Sequence, residues 1–214
     1  MTPVTPPAPV LSIDELRFAH RGEPPLIEVA SLALPAGLTL FAGDTGAGKT
    51  TLLRVLAGEL PAQGRLVLEG IDLAQAPEAY RRQVFHVDAR DPALDALTPA
   101  ACTATWREGD AGFDAARWPS LVDGFALAEH MDKRMDMLST GSRRKVALAA
   151  ALASGRALVL LDEPTAALDK ASVRWLWQVL GERASLGMRQ AVVLASSLPV
   201  EGLPLAAAFT LPLR

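Results

Sequence analysis

The chain has 214 residues, with 21 basic and 24 acidic side chains and a formal net charge of -3. Since this balance creates no overall positive field, nucleic acid is not an expected partner. The single cysteine, Cys102, excludes an internal disulfide. The most membrane-like stretch, residues 146–161, is interrupted at 154–156, whereas a spanning helix needs roughly 20 uninterrupted apolar residues.

The first third of the chain predicts strands placed around one helix. Residues 1–9 are rich in proline and lack the regions of a signal peptide, so we expect a disordered tail before a single domain over 10–214. Apolar patterns and turn residues then predict further elements. These are strands at 11–18, 26–34, 37–42, 64–70 and 83–87, a turn at 21–25, and a helix at 50–57.

The rest of the chain predicts an α/β fold. Short alanine-rich helical pieces, broken by proline and glycine, indicate a helical subdomain inserted at about 91–140. Apolar strands then alternate with helices, which is typical of a parallel sheet covered on both faces. The predicted elements are helices at 142–153 and 172–183, and strands at 157–161 and 190–195.

A phosphate-binding pattern, G-x-x-x-x-G-K-[ST], lies between a predicted strand and the helix that follows it. Its glycines allow the backbone to curl closely around an anion, so that amide groups converge on phosphates. Lys49 would contact the β- and γ-phosphates, and the Thr50 hydroxyl could ligate Mg²⁺. The remaining candidate nucleotide-binding residues here are Gly43, Asp44, Thr45, Gly46, Ala47, Gly48 and Thr51.

Two carboxylates, Asp162 and Glu163, follow the apolar strand predicted at 157–161. Ligands of open α/β sheets bind at the carboxyl ends of the strands, so both acids could face the phosphate-binding loop. Asp162 is a candidate Mg²⁺ ligand, directly or through water, and Glu163 could polarise a water for attack on the γ-phosphate. The alternative is a solvated helix cap.

Two further motifs resemble those of the ATP-binding-cassette (ABC) ATPases. Leu138-Ser139-Thr140-Gly141-Ser142, followed by a basic helix start, is similar to the family's signature, whose usual form is L-S-G-G-Q. Residues 162–169, with the sequence DEPTAALD, resemble its Walker B motif and D-loop. With the phosphate-binding loop, these motifs follow the family's order and spacing over almost the whole chain. The resemblance implies a P-loop NTPase of the ABC type, with a mostly parallel core sheet and N-terminal antiparallel strands.

The resemblance also implies partners and cofactors. ATP and Mg²⁺ would bind to one subunit, while Ser139 and Gly141 of a second copy would cap the γ-phosphate in a head-to-tail dimer. Asp169 would link the two sites across the interface. ATP binding would close the dimer, and hydrolysis would release it. A transmembrane permease would hold the chain at the cytoplasmic face of the inner membrane.

Three positions differ from the family's pattern. His20, or alternatively Phe18, stands where an aromatic residue usually stacks on adenine, although His20 could also be an exposed loop residue. The usual Mg²⁺-binding glutamine is missing; Arg90 and Asp88 are the candidates for its place, and Asp88 could still serve a cation. Ser197 replaces the usual histidine and could donate a hydrogen bond to the γ-phosphate. We therefore expect slow or partner-dependent hydrolysis with nucleotide binding retained.

The leading hypothesis is an ATPase subunit that energises a separate membrane permease, with Glu163, Lys49 and Ser197 as its catalytic residues. One alternative is a cassette ATPase of nucleic acid maintenance or translation. That class usually brings two cassettes, coiled-coil arms or basic extensions. The other alternative is a regulatory module that binds ATP but hydrolyses it weakly.

Overall fold

The computed structural model describes residues 8–213, so the tail predicted at 1–9 falls mostly outside the described residues. Short 3-10 helices cover Pro92–Leu94, Ala128–His130 and Met135–Met137. The α-helices are α1 (Lys49–Leu56), α2 (Pro77–Arg82), α3 (Pro99–Trp106), α4 (Trp118–Gly124), α5 (Thr140–Ala153) and α6 (Lys170–Ser185). The strands are β1 (Leu11–Phe18), β2 (Ile27–Leu34), β3 (Gly37–Ala42), β4 (Gln63–Leu68), β5 (Ile71–Asp72), β6 (Val84–His86), β7 (Leu158–Asp162), β8 (Ala191–Ser196) and β9 (Leu205–Thr210).

The strands form two sheets. One is antiparallel, with the order β2-β1-β4-β5. The other is parallel, with the order β6-β7-β8-β3-β9. The α/β fold with a parallel core sheet and N-terminal antiparallel strands is therefore confirmed.

Strands β7, β8 and β3 of the parallel sheet are buried on both faces, which explains their mostly apolar sequences. In β7, Leu158 and Leu160 face a core shared with α1 and the antiparallel sheet. Val159 and Leu161 face a second core, shared with α3 to α6. Side chains of a strand alternate between faces, so a strand packed on both sides is largely apolar, and Thr39 of β3 is a buried polar exception.

The helical insert predicted at about 91–140 consists of short elements, and α3 and α4 pack against α5. Helices α5 and α6 each begin two residues earlier than predicted, because the side chain that precedes each helix caps it. The Ser139 hydroxyl accepts from the N–H of Ser142 at the start of α5. Asp169 accepts from the N–H of Ser172 at the start of α6.

Three elements were absent from the sequence-based prediction: β5, α2 and β9. β9 has the sequence LAAAFT and pairs with β3 at the edge of the parallel sheet. Alanine has a low strand propensity, so packing and pairing override the local preference here. No helix among residues 8–213 is long and apolar enough to cross a membrane.

Candidate functional site

The phosphate-binding loop, the acidic pair and Ser197 meet at the carboxyl ends of three neighbouring parallel strands, β7, β8 and β3. The N–H of Gly43, just after β3, donates to the carbonyl oxygen of Ser196 at 3.2 Å. The N–H of Glu163, just after β7, donates to the carbonyl oxygen of Ala195 at 2.9 Å. These bonds hold the phosphate-binding loop, the acidic pair and Ser197 along one edge of the sheet.

The phosphate-binding loop depends on glycine where the chain turns into α1. Gly46 and Gly48 have φ values of 86° and 89°, in the left-handed region that glycine adopts without strain. Gly48 is the N-cap of α1 and provides no side-chain cap. The first N–H groups of this helix are thus available to an anion, which the helix dipole also favours.

Lys49 lies folded back inside its own loop. Its Nζ atom donates to the carbonyl oxygens of Gly43 at 2.7 Å and Asp44 at 2.9 Å, and lies 3.2 Å from Glu163 Oε1. The side chain is only 6% exposed. A buried ammonium group needs such partners, and phosphate oxygens could replace them.

Thr50 and Asp162, the two candidate Mg²⁺ ligands, lie in direct contact. The Thr50 hydroxyl donates to Asp162 Oδ2 at 2.6 Å. The other carboxylate oxygen, Oδ1, is buried and has no hydrogen-bond partner among residues 8–213. This arrangement fits Mg²⁺, which prefers oxygen ligands and usually combines one or two carboxylates with phosphate and water oxygens.

Glu163 is held by contacts on both carboxylate oxygens. Oε1 pairs with Lys49, and Oε2 accepts from the backbone N–H of Ser197 at 3.1 Å. Its φ of 44° is unusual for a residue with a side chain and turns the chain sharply after β7. The positioning of this carboxylate by the Ser197 backbone was not foreseen from the sequence.

A cavity of about 710 Å³ opens over the phosphate-binding loop. It is lined by Gly46, Lys49, Thr51, Glu163 and Ser197, together with His20. The alternative adenine-stacking residue, Phe18, is only 8% exposed and packs edge-to-face under His20, with ring centroids 5.0 Å apart. Since His20 faces the cavity and Phe18 faces the core, the geometry favours His20 as the residue that would stack on a base.

A second cavity, of about 820 Å³, meets the first at Thr50. Asp162, Asp88, Arg90 and Arg144 also line it. Arg90 Nε lies 3.1 Å from Asp88 Oδ1. Burial disfavours the charged form of Asp88, but hydrogen bonds from Arg90 outweigh it and lower the pKa of Asp88. The proposed metal role of Asp88 therefore requires that this ion pair break.

The signature residues lie at the start of α5. Ser139 is exposed, and its hydroxyl lies 3.0 Å from that of Ser142. A Cβ atom at Gly141 would lie 2.4 Å from the carbonyl oxygen of Ala167, so this position requires glycine. Within residues 8–213, neither Ser139 nor Gly141 lines the cavity over the phosphate-binding loop. Their predicted contact with ATP would require a second subunit.

Two basic residues after the signature, Arg144 and Lys145, connect the signature to the acidic loop. Arg144 donates to the carbonyl oxygens of Glu163 at 2.7 Å and Ala166 at 2.9 Å. Lys145 Nζ lies 2.6 Å from Asp169 Oδ2, and this contact, with hydrogen bonds from Ser172, holds the pKa of Asp169 far below its usual range. The only signal in the sequence was the basic start of the helix.

Comparison with known proteins identifies the family. A family model described as "ABC transporter" matches residues 28–166. The chain belongs to the ABC transporter family.

Several known proteins are similar to this chain. The cytochrome c biogenesis ATP-binding export protein CcmA of Paramagnetospirillum magneticum is 39% identical over 161 residues, covering 71% of each chain. The Fe(3+) ions import ATP-binding protein FbpC of Pseudomonas fluorescens is 39% identical over 171 residues, covering 75% of this chain and 48% of the relative. A solved structure described as the ATP binding subunit of an ABC transporter matches with a TM-score of 0.76 at 22% identity, covering 88% of this chain and 80% of that one. The ABC cassette fold and the recognition from motifs are thus confirmed.

We expect replacement of His20 with alanine to weaken ATP binding about tenfold, because stacking on an aromatic ring is worth about 1–3 kcal/mol per base. Isothermal titration calorimetry would measure the change. Inorganic tripolyphosphate, which has no base, is the matched control ligand and should bind equally well to both proteins. An equal loss for both ligands would contradict a stacking role for His20.

Proposed function

We propose that this chain is the ATP-hydrolysing subunit that energises transport by a separate membrane permease. The observation that carries the proposal is the convergence of Lys49, Thr50, Asp162 and Glu163 at one edge of the parallel sheet. Membership of the ABC transporter family supports it, as do relatives named as ATP-binding export and import proteins.

Each residue of the site has a separate role in ATP hydrolysis. Lys49 exchanges its contacts with Gly43, Asp44 and Glu163 for phosphate oxygens of ATP. That exchange frees Glu163 to accept a hydrogen bond from the attacking water and then its proton. The Ser197 hydroxyl donates to the γ-phosphate. Thr50 and Asp162 would hold Mg²⁺, which neutralises charge on the phosphates when it is bound.

The site is completed by a second copy of the chain. In a head-to-tail dimer, the exposed Ser139 and the start of α5 from one subunit would cap the γ-phosphate held by the other. Part of the binding energy of ATP then stabilises the closed dimer, and hydrolysis reopens it. We propose that a permease receives this motion and holds the chain at the cytoplasmic face of the inner membrane.

A regulatory ATP-binding module is the second candidate function. It is favoured by the Asp88–Arg90 ion pair, which places a cation in the cavity that the candidate metal ligands Thr50 and Asp162 also line. Such a module would use ATP to close the dimer with little turnover.

Phosphate release measured with and without the permease separates the two candidates. The chain would be purified alone and together with candidate permease subunits encoded beside it, reconstituted in lipid nanodiscs. We expect slow release from the isolated chain and stimulation of about tenfold or more by the correct permease, an effect equal to about 1.4 kcal/mol in the barrier. A chain that binds ATP, but that no candidate permease stimulates, would favour the regulatory module and contradict the transport proposal.

A further inference from the structure

A cationic side chain lies on the metal side of the proposed ATP site. Thr50 lines both the cavity over the phosphate-binding loop and the second cavity, so the two cavities share this candidate metal ligand as part of their walls. Arg90 lines the second cavity with Thr50 and Asp162. Arg90 therefore shares this cavity with both candidate Mg²⁺ ligands.

Arg90 is held in a way that permits movement. Its side chain is 64% exposed. Its Nε atom lies 3.1 Å from Asp88 Oδ1, and its Nη2 atom lies 3.4 Å from Asp88 Oδ2. The backbone N–H of Arg90 separately donates to Asp88 Oδ1 at 2.9 Å, which fixes the loop independently of the guanidinium. Exposed ion pairs are weak, so exchange of this carboxylate for a more highly charged anion costs little.

The charges around Arg90 indicate which anion it would meet. Hydrogen bonding to Asp88 raises the pKa of Arg90 most, and the charge of Asp162 contributes further, so Arg90 lies within electrostatic range of that carboxylate. Arg144, which is largely held by backbone carbonyls, adds a second positive charge to the same cavity. The cavity thus supplies two guanidinium groups beside a site for a triphosphate.

We propose that Arg90 moves from Asp88 to the terminal phosphate of bound ATP and provides part of the charge neutralisation that would otherwise depend on Mg²⁺. Guanidinium groups suit this role because they pair with phosphate oxygens through two parallel hydrogen bonds and remain charged at every physiological pH. The consequence is ATP binding that depends only weakly on Mg²⁺. This inference rests on the proposed binding of ATP.

The test compares ATP affinity in excess Mg²⁺ and in EDTA, by calorimetry, for the wild-type chain and Arg90→Gln. For the wild-type chain, the Kd for ATP should differ by less than about threefold between excess Mg²⁺ and EDTA. Arg90→Gln should lower the affinity for ATP by about tenfold or more in EDTA alone, as expected for the loss of a hydrogen bond between a guanidinium group and a phosphate. Arg82→Gln is the matched control, since Arg82 is exposed on α2 and lines neither cavity.

A second variant separates phosphate binding from a structural role of the ion pair. Asp88→Asn should raise the affinity for ATP in EDTA, because it removes the charge that pairs with the Arg90 guanidinium, while the amide oxygen can still accept from the backbone N–H of Arg90. If Asp88→Asn loses affinity as Arg90→Gln does, or if Arg90→Gln keeps the wild-type ratio of the two Kd values, the proposal is overturned. If the wild-type chain binds no ATP in either condition, the proposed function itself fails.

Discussion

Replacing Glu163 with glutamine should lower the rate of ATP hydrolysis by about 10²–10⁴-fold, the usual contribution of a general base. Glutamine keeps the size of the side chain and can still accept from the N–H of Ser197, but it cannot take a proton from water. The Glu163 carboxylate also pairs with Lys49. Removing its negative charge frees that lysine for phosphate, so ATP affinity should stay the same or rise.

Phosphate release and ATP affinity, measured on the same preparations, test this prediction. Glu78→Gln is the matched control, because Glu78 is exposed on α2 and lines neither cavity. The Glu163→Gln variant should also accumulate the ATP-bound dimer, which size-exclusion chromatography with light scattering would detect. Unchanged turnover in Glu163→Gln would show that another group activates the water.

Replacing Gly141 with alanine should destabilise the chain and impair ATP-driven dimerisation. The added Cβ would lie 2.4 Å from the carbonyl oxygen of Ala167, and a backbone atom cannot move away as freely as a flexible side chain. Ala167 already has a φ of 61°, so the loop has little room to adjust. Overpacking of this kind costs about 1–3 kcal/mol in the free energy of unfolding.

Gly181→Ala is the control for Gly141→Ala. A Cβ at Gly181 in α6 would lie 3.7 Å from its nearest neighbour, an ordinary contact, and alanine favours a helix. Urea denaturation should show a lower free energy of unfolding for Gly141→Ala alone. Equal stability of the two variants would mean that the Ala167 loop yields freely, which would remove the structural reason for glycine at this position.

The sequence predicted the parts of the fold where pattern and packing agree. Strands β3, β7 and β8 were predictable because burial on both faces favours runs of mostly apolar residues. The edge strand β9 was missed because alanine gives no strand signal of its own.

The candidate site was predictable at the level of motifs but not of contacts. The spacing of the phosphate-binding loop places Lys49 and Thr50 by local geometry alone. The pairing of Asp88 with Arg90, two residues away, depends on side-chain rotamers, and the two bonds from Arg144 join segments 19 and 22 residues apart. No local pattern encodes such contacts, and the roles of the site residues toward ATP stay predictions.

The two hydrogen bonds from Arg144 have a consequence for the proposed dimer. Arg144 lies in α5, the helix whose N-cap, Ser139, would contact the other subunit. Arg144 also donates hydrogen bonds to the backbone of the loop that carries Glu163. A nucleotide that contacts α5 of one copy would therefore also shift the acidic loop of that copy. In the head-to-tail dimer, this loop acts on the other nucleotide. Occupancy of the two pockets would then be coupled, and saturation with ATP should be sigmoidal, with a Hill coefficient above one.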